Sequence, residues 1–106
     1  MLFELRQYWT HPGRRDDWVR FMEEVVIPFQ VSKGMVICGS FVQEDDPDAY
    51  VWLRRFDDET QREALYEAVY QSPEWTDEIG PQVPDMLKRE EIKVTRLIPT
   101  PASVIH

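Results

Sequence analysis

Hydrophobic and polar positions alternate along LFELRQYW, placing Phe3, Leu5, Gln7 and Trp9 on one face and Leu2, Glu4, Arg6 and Tyr8 on the other. A period of two is that of a strand, whose successive side chains point to opposite sides. His11-Pro12-Gly13 is a turn signal, and beyond it the period changes. Trp18, Phe21, Met22, Val25, Val26 and Phe29 form one continuous stripe of an amphipathic helix, which Pro28 ends or bends. MVICGSFVQ, after Gly34, reads as a second strand, apolar on both faces. Its interior Gly39 signals a bulge or a close backbone approach. Glu44 to Asp48 (EDDPD) makes the hairpin loop, and AYVWLRRF follows as a third strand. Asp58 with Gln61 is a capping box opening a helix over Glu59 to Tyr70 that buries Leu65, Tyr66 and Val69. Ser72-Pro73-Glu74-Trp75 starts a further short helix, broken by Pro81 and Pro84. The last strand runs from about Arg89 to Ile98, and Pro99 and Pro101 stop it.

The order β-α-β-β-α-β over residues 1–106 predicts one α+β domain. Its natural form is a four-stranded antiparallel ferredoxin-like sheet with both helices on one face. Right-handed crossovers give the spatial order 4-1-3-2.

A sheet covered on one side should be polar on the other. Here Leu2, Tyr8, Tyr50, Trp52 and Phe56 share the face opposite Val51 and Leu53, so neither side is polar. Each large side chain left in water forfeits about 1.5–3 kcal/mol. A contiguous patch of that kind marks an interaction surface, and a twofold pairing of sheets would cover it, so a homodimer is expected. Val51 and Leu53 suit the helix side, which turns Tyr50, Trp52 and Arg54 toward the second subunit. Since the first and third strands are neighbours, Glu4, Arg6, Tyr8, Trp52 and Arg54 then form a polar cluster in an aromatic-walled space between the subunits. This cluster is either a structural salt-bridge network that fixes strand register and dimer pairing or a candidate ligand pocket, with Glu4 the partner that a buried Arg54 requires. Two arginines against one carboxylate suit a small organic acid. Arg55 falls on the helix side, reaching toward Asp57 or Asp58. The face of Arg96 stays open.

Leu5-Arg6-Gln7-Tyr8 leading into Pro12-Gly13, then VWLRRFDDETQR, SPEW followed by prolines, and the closing RLIPTPASV occur in an order that resembles the NIPSNAP family along nearly the whole chain. The resemblance implies a dimeric α/β barrel, two ferredoxin-like sheets back to back with a cavity between them. It also implies similarity to cofactorless monooxygenases, dehalogenases and stress-response proteins of the same superfold. It brings no agreed catalytic motif, so no site residue is carried over.

Charge narrows the partners. A formal net charge of −8 repels nucleic acid and anionic membrane. Cys38, the only cysteine, can form no internal disulfide and is expected as a buried thiol. His11 sits in a turn, with a solvent-exposed loop residue as its ordinary reading and a general base as the sharper one. His106 is terminal. EDDPD lacks the spacing of a Ca²⁺ loop, and no Zn²⁺ ligand spacing, phosphate-cradling glycine loop or nucleophile elbow occurs, so neither metal nor cofactor is expected. Trp18 and Trp75 read as packing anchors, Trp75 with the option of a lid over the pocket. No basic stretch precedes an apolar run and no apolar run approaches about 18 residues, which points to the cytoplasm. Two functions remain: binding or cofactor-independent conversion of a small acidic, partly apolar metabolite, or a non-enzymatic interaction module whose polar cluster only stabilises the dimer.

Overall fold

The computed structural model describes all 106 residues. Strand β1 (Leu2–Trp9) is followed by α1 (Arg15–Phe21), a π-helical turn (Met22–Val26) and α2 (Ile27–Ser32). Then come β2 (Val36–Val42), β3 (Ala49–Phe56), α3 (Glu59–Tyr70), a π-helical segment (Glu74–Ile79), two 3₁₀ segments (Gly80–Asp85 and Arg89–Glu91) and β4 (Lys93–Leu97). All strand pairs are antiparallel, in the order β2-β3-β1-β4. This is the expected 4-1-3-2 arrangement, in an α+β fold with its helices on one face.

Local chemistry accounts for most of these elements. Trp18, Phe21, Met22 and Val26 are buried along the first helix as the stripe requires. The helix runs past Pro28 to Ser32, because the π turn ahead of the proline loosens the ladder where an N–H is missing; Ile27 N–H bonds back to the Met22 carbonyl. Asp58 accepts from Gln61 N–H at 2.8 Å to cap α3, and the Gln61 amide returns to Asp57 N–H at 2.6 Å. Ser72 Oγ accepts from Trp75 N–H at 3.2 Å, as a capping serine should. Gly39 meets the bulge reading of an interior glycine. The β2–β3 register shifts between Ile37 and Gly39, and what a Cβ there would meet is the Phe41 side chain rather than another backbone.

The expected orientation of β3 is reversed. Tyr50, Trp52, Arg54 and Phe56 face the helices and are 2% exposed or less, whereas Val51, Leu53 and Arg55 alternate onto the open side. The reason is volume. The layer between sheet and helices is deep enough for whole rings, and Tyr8, Trp18, Tyr50 and Trp52 fill it with ring centroids 5.8–6.4 Å apart, mostly edge to face. The shorter Val51 and Leu53 are left for the outer face. Arg55 does approach Asp57, at 3.7 Å, but from the open side, where its Nε also donates to the His106 backbone carbonyl at 2.9 Å. Cys38 is a second correction: it is exposed on edge strand β2, at the register shift. Arg96, across from Glu4 in the β1–β4 register, lies on the helix side and pairs with Glu59. No helix is long and apolar enough to cross a membrane.

Candidate functional site

Glu4 on β1 and Arg54 on β3 stand directly opposite each other in the sheet, so their side chains meet by register alone. Arg54 Nη2 donates to Glu4 Oε1 at 2.7 Å, and both residues are buried. Helix α3 adds Tyr66 and Tyr70, one turn apart on its inner face. The Tyr66 hydroxyl donates to the Glu4 carboxylate at 2.7 Å and accepts from Arg54 at 2.7 Å. The Tyr70 hydroxyl accepts from Arg54 at 2.8 Å and from the Gln30 amide at 3.3 Å, and Gln30 Oε1 takes a further Arg54 hydrogen at 3.1 Å. Arg62 approaches the other Glu4 oxygen at 3.5 Å. The Arg54 guanidinium lies 4.7 Å from the Trp52 ring and 5.1 Å from that of Tyr66, so its faces are occupied as well as its edges. Only Nε lacks an acceptor.

Beside this network opens a cavity of about 500 Å³, walled by Arg6, Tyr8, Trp18, Tyr66, Tyr70, Trp75, Leu87 and Ile92, with Thr76 and Arg89 toward its mouth. It lies between the sheet and the helical layer of one chain, not between two sheets, which follows from the reversed face of β3. Arg6 Nε donates to the Tyr8 hydroxyl at 2.7 Å, and Nη1 reaches the Tyr66 hydroxyl at 3.4 Å. No carboxylate lies within ion-pair distance of Arg6. Burial works against its charge, but the Tyr8 hydroxyl and the neighbouring phenols outweigh it and hold the guanidinium protonated. Burial likewise pushes the Tyr8 phenol up, with Arg6 pulling against it. Burial raises Tyr66 to about 12, Arg54 opposing and Glu4 assisting.

The five residues expected to form the pocket therefore share one sheet face, as anticipated, but divide by role. Arg6 and Tyr8 line the cavity. Glu4, Trp52 and Arg54 are sealed beneath it and are not part of its lining. His11 is outside, its Nε2 3.1 Å from the Pro84 carbonyl. Trp75 and Trp18 form cavity wall, so the two supposed anchors are also lining. Tyr66 and Tyr70 were missed as site residues. Their spacing of four put both phenols on the core face of a helix, and phenols placed there need partners such as Glu4 and Arg54. Arg89 carried no signal in the sequence.

The polar groups that converge on the cavity are nearly all donors. The terminal nitrogens of Arg6, the Tyr8 hydroxyl and, near the mouth, Arg89 face a space whose remaining wall is aromatic and aliphatic. No aspartate, glutamate, histidine, cysteine or lysine lines it. Such a surface can hold an anion with an apolar body.

Residues 3–103 match the NIPSNAP family model. Among solved structures, a NIPSNAP domain protein from Burkholderia xenovorans superposes with TM-score 0.86 at 19% identity, covering 97% of this chain and 98% of that one. A NIPSNAP family protein of unknown function from Agrobacterium tumefaciens gives TM-score 0.88 at 20% identity over 100% and 94% of the two chains. An antibiotic biosynthesis monooxygenase gives TM-score 0.68 at 16% identity over 95% and 100%. These likenesses speak to the fold. No curated protein matches the chain.

Proposed function

The chain belongs to the NIPSNAP family, and we propose that it binds a small acidic, partly apolar metabolite in the cavity between its sheet and helices. One observation carries this reading: Arg6 stands on the wall of an aromatic cavity with no carboxylate partner. A half-buried cation needs a counter-charge or hydrogen bonds, and the Tyr8 and Tyr66 hydroxyls take only Nε and, at 3.4 Å, Nη1, leaving Nη2 without a partner. A carboxylate would complete it through Nη2 while its apolar body lies against Trp18, Tyr70 and Trp75. Arg6 and Tyr8 are thus the ligand-binding pair, in place of the earlier pairing of Arg6 with Arg54.

The chain works as a homodimer in this reading. Phe41, Val36 and Leu97 are 56%, 46% and 42% exposed on the open side of the sheet, beside Leu5, Val51 and Leu53. A second copy of the same sheet would cover them by face-to-face packing. The exposed, unpaired Cys38 suits a reducing compartment, so we place the protein in the cytoplasm. Its net charge of −8 leaves nucleic acid and anionic membrane as poor partners.

Thermal-shift and calorimetric titration with phenylacetate, phenylpropionate and phenylpyruvate, each against its neutral amide, tests the binding. We expect the acids to raise Tm and the amides not to, with Arg6→Met abolishing the difference. At a ligand concentration about 100-fold above Kd the stabilisation is about 2.7 kcal/mol. The same Tm response in Arg6→Met, or none with any acid, removes the reading.

A further inference from the structure

The wall of the cavity contains a phenol, Tyr8, able to give and take a proton without leaving a charge unpaired. The Tyr8 hydroxyl accepts from Arg6 Nε at 2.7 Å and donates to no protein atom, so its own hydrogen is uncommitted. If that hydrogen leaves, the phenolate already has a guanidinium at hydrogen-bond distance. Tyr66 differs, because its hydrogen is spent on Glu4 at 2.7 Å. Tyr70 accepts from Arg54 at 2.8 Å and keeps its hydrogen free, making it a second donor on the same wall. The lining has no thiol, imidazole, amine or carboxylate, so covalent catalysis through such nucleophiles and carboxylate-based proton transfer have no agent there.

We propose that the cavity interconverts the enol and keto forms of an arylpyruvate-like 2-oxo acid, with Tyr8 as the proton-transfer residue. The inference rests on the binding reading above and adds the substrate class and a reaction. The terminal nitrogens of Arg6 hold the carboxylate. Because the Tyr8 oxygen is 2.7 Å from Nε of that same guanidinium, the carbon two bonds from the carboxylate carbon falls within the phenol's reach. The aryl group lies against Trp18 and Trp75, and Tyr70 donates to the enol oxygen.

In the ketonising direction the electron pair of the C2=C3 double bond takes the Tyr8 proton, forming the new C3–H bond as the phenol O–H breaks. The enol O–H loses its proton to water as the C2–O bond becomes a carbonyl. Solvent returns a proton to the phenolate, which Arg6 pairs in the interval. One proton is added at carbon and one is lost from oxygen, so the reaction is an isomerisation that consumes no oxidant or reductant. Burial keeps Tyr8 protonated at neutral pH, the state this direction needs.

The test adds the enol forms of phenylpyruvate and 4-hydroxyphenylpyruvate to the full-length protein. Decay of the enol ultraviolet absorbance is followed, together with deuterium entry at C3 in heavy water. We expect ketonisation at least tenfold above buffer. It should be suppressed by saturating phenylpropionate, which has the same shape but cannot enolise. Tyr8→Phe should lower kcat about 100-fold with KM within threefold, the loss expected of one positioned proton donor. Tyr8→Phe removes only an oxygen from a packed ring, and the phenylpropionate competition judges the wild-type protein even if that variant misfolds. Binding of the acids with ketonisation at the buffer rate, or an unchanged kcat in a folded Tyr8→Phe, overturns this inference and leaves the binding reading intact. Failure of every acid to bind overturns both.

Discussion

The two faces of the one sheet pose opposite problems to the same strands. On the helix side, Tyr8, Tyr50, Trp52, Arg54 and Phe56 are nearly or wholly buried within a single chain, and that face can include a complete ion pair because α3 delivers hydroxyls to it. On the open side, Phe41, Val36 and Leu97 stay exposed and the residues are mostly uncharged. Charge is thus buried where its hydrogen-bond partners are covalently assured. It is scarce on the face that no helix covers. A buried ion pair is tolerable only when its remaining donors and acceptors are met. Arg54 meets that condition at both terminal nitrogens, through partners on β1, α2 and α3 at once, and leaves only Nε unpaired.

The largest effect should come from breaking the helix-side network. Arg54→Met leaves Glu4 buried with the Tyr66 hydroxyl and a longer contact to Arg62, and we expect a loss of about 3–5 kcal/mol in denaturant unfolding. Glu4→Leu added to Arg54→Met should recover much of it, since an apolar pair no longer strands a charge. If the double variant is as unstable as the sum of the single ones, the ion pair is not what organises this face.

A smaller effect is expected on the open side. Leu5→Asp places a charge on the face that the proposed partner covers while leaving the helix-side core untouched. Forfeiting a leucine's burial costs about 1.5–3 kcal/mol, or roughly tenfold to a hundredfold in association. By light scattering the particle should fall from twice the chain mass toward 12.7 kDa, with near-ultraviolet circular dichroism unchanged. A wild-type particle already at 12.7 kDa would mean that the open face is not a seam between copies.

Element order, sheet topology, the two capping motifs and the Gly39 irregularity were all legible, because each depends on local spacing or a single residue's backbone freedom. The side on which β3 presents its aromatics was not. Alternation tells which residues share a face, but Val51 and Leu53 are as apolar as Tyr50 and Trp52, and only the depth of the helix layer decides between the two sets. Membership of the polar cluster therefore survived while its address did not. Strand pairing brought Glu4 and Arg54 together in the sequence but left open whether they form a structural ion pair or a ligand contact. The hydroxyls of Tyr66 and Tyr70, 12 and 16 positions beyond Arg54, turned that pair into sealed structure. Arg6 and Tyr8, on the same face but beside the cavity, kept the functional reading. Cys38 was expected inside because cysteines usually are, and the edge position of β2 put it outside.

The smallest expected effect lies at the rim, where Arg62 touches both worlds, 2.8 Å from the half-exposed Glu59 and 3.5 Å from the buried Glu4. Hydrogen bonds from Arg62, then from Arg96, lower the Glu59 carboxyl to about 2. An unfolded glutamate titrates near about 4.3, so between these values the unfolded chain holds a proton that the folded one does not. Glu59 therefore contributes its full share of stability above about pH 4.3, and that share is lost as pH falls toward 2. Glu59→Gln should flatten the dependence of Tm on pH in this window and lower Tm only slightly at neutral pH, because solvent screens the pair. Should Tm at pH 7 fall as far in Glu59→Gln as in Arg54→Met, Arg62 would be transmitting the surface charge into the Glu4 network, and the two carboxylates would have to be treated as one buried unit.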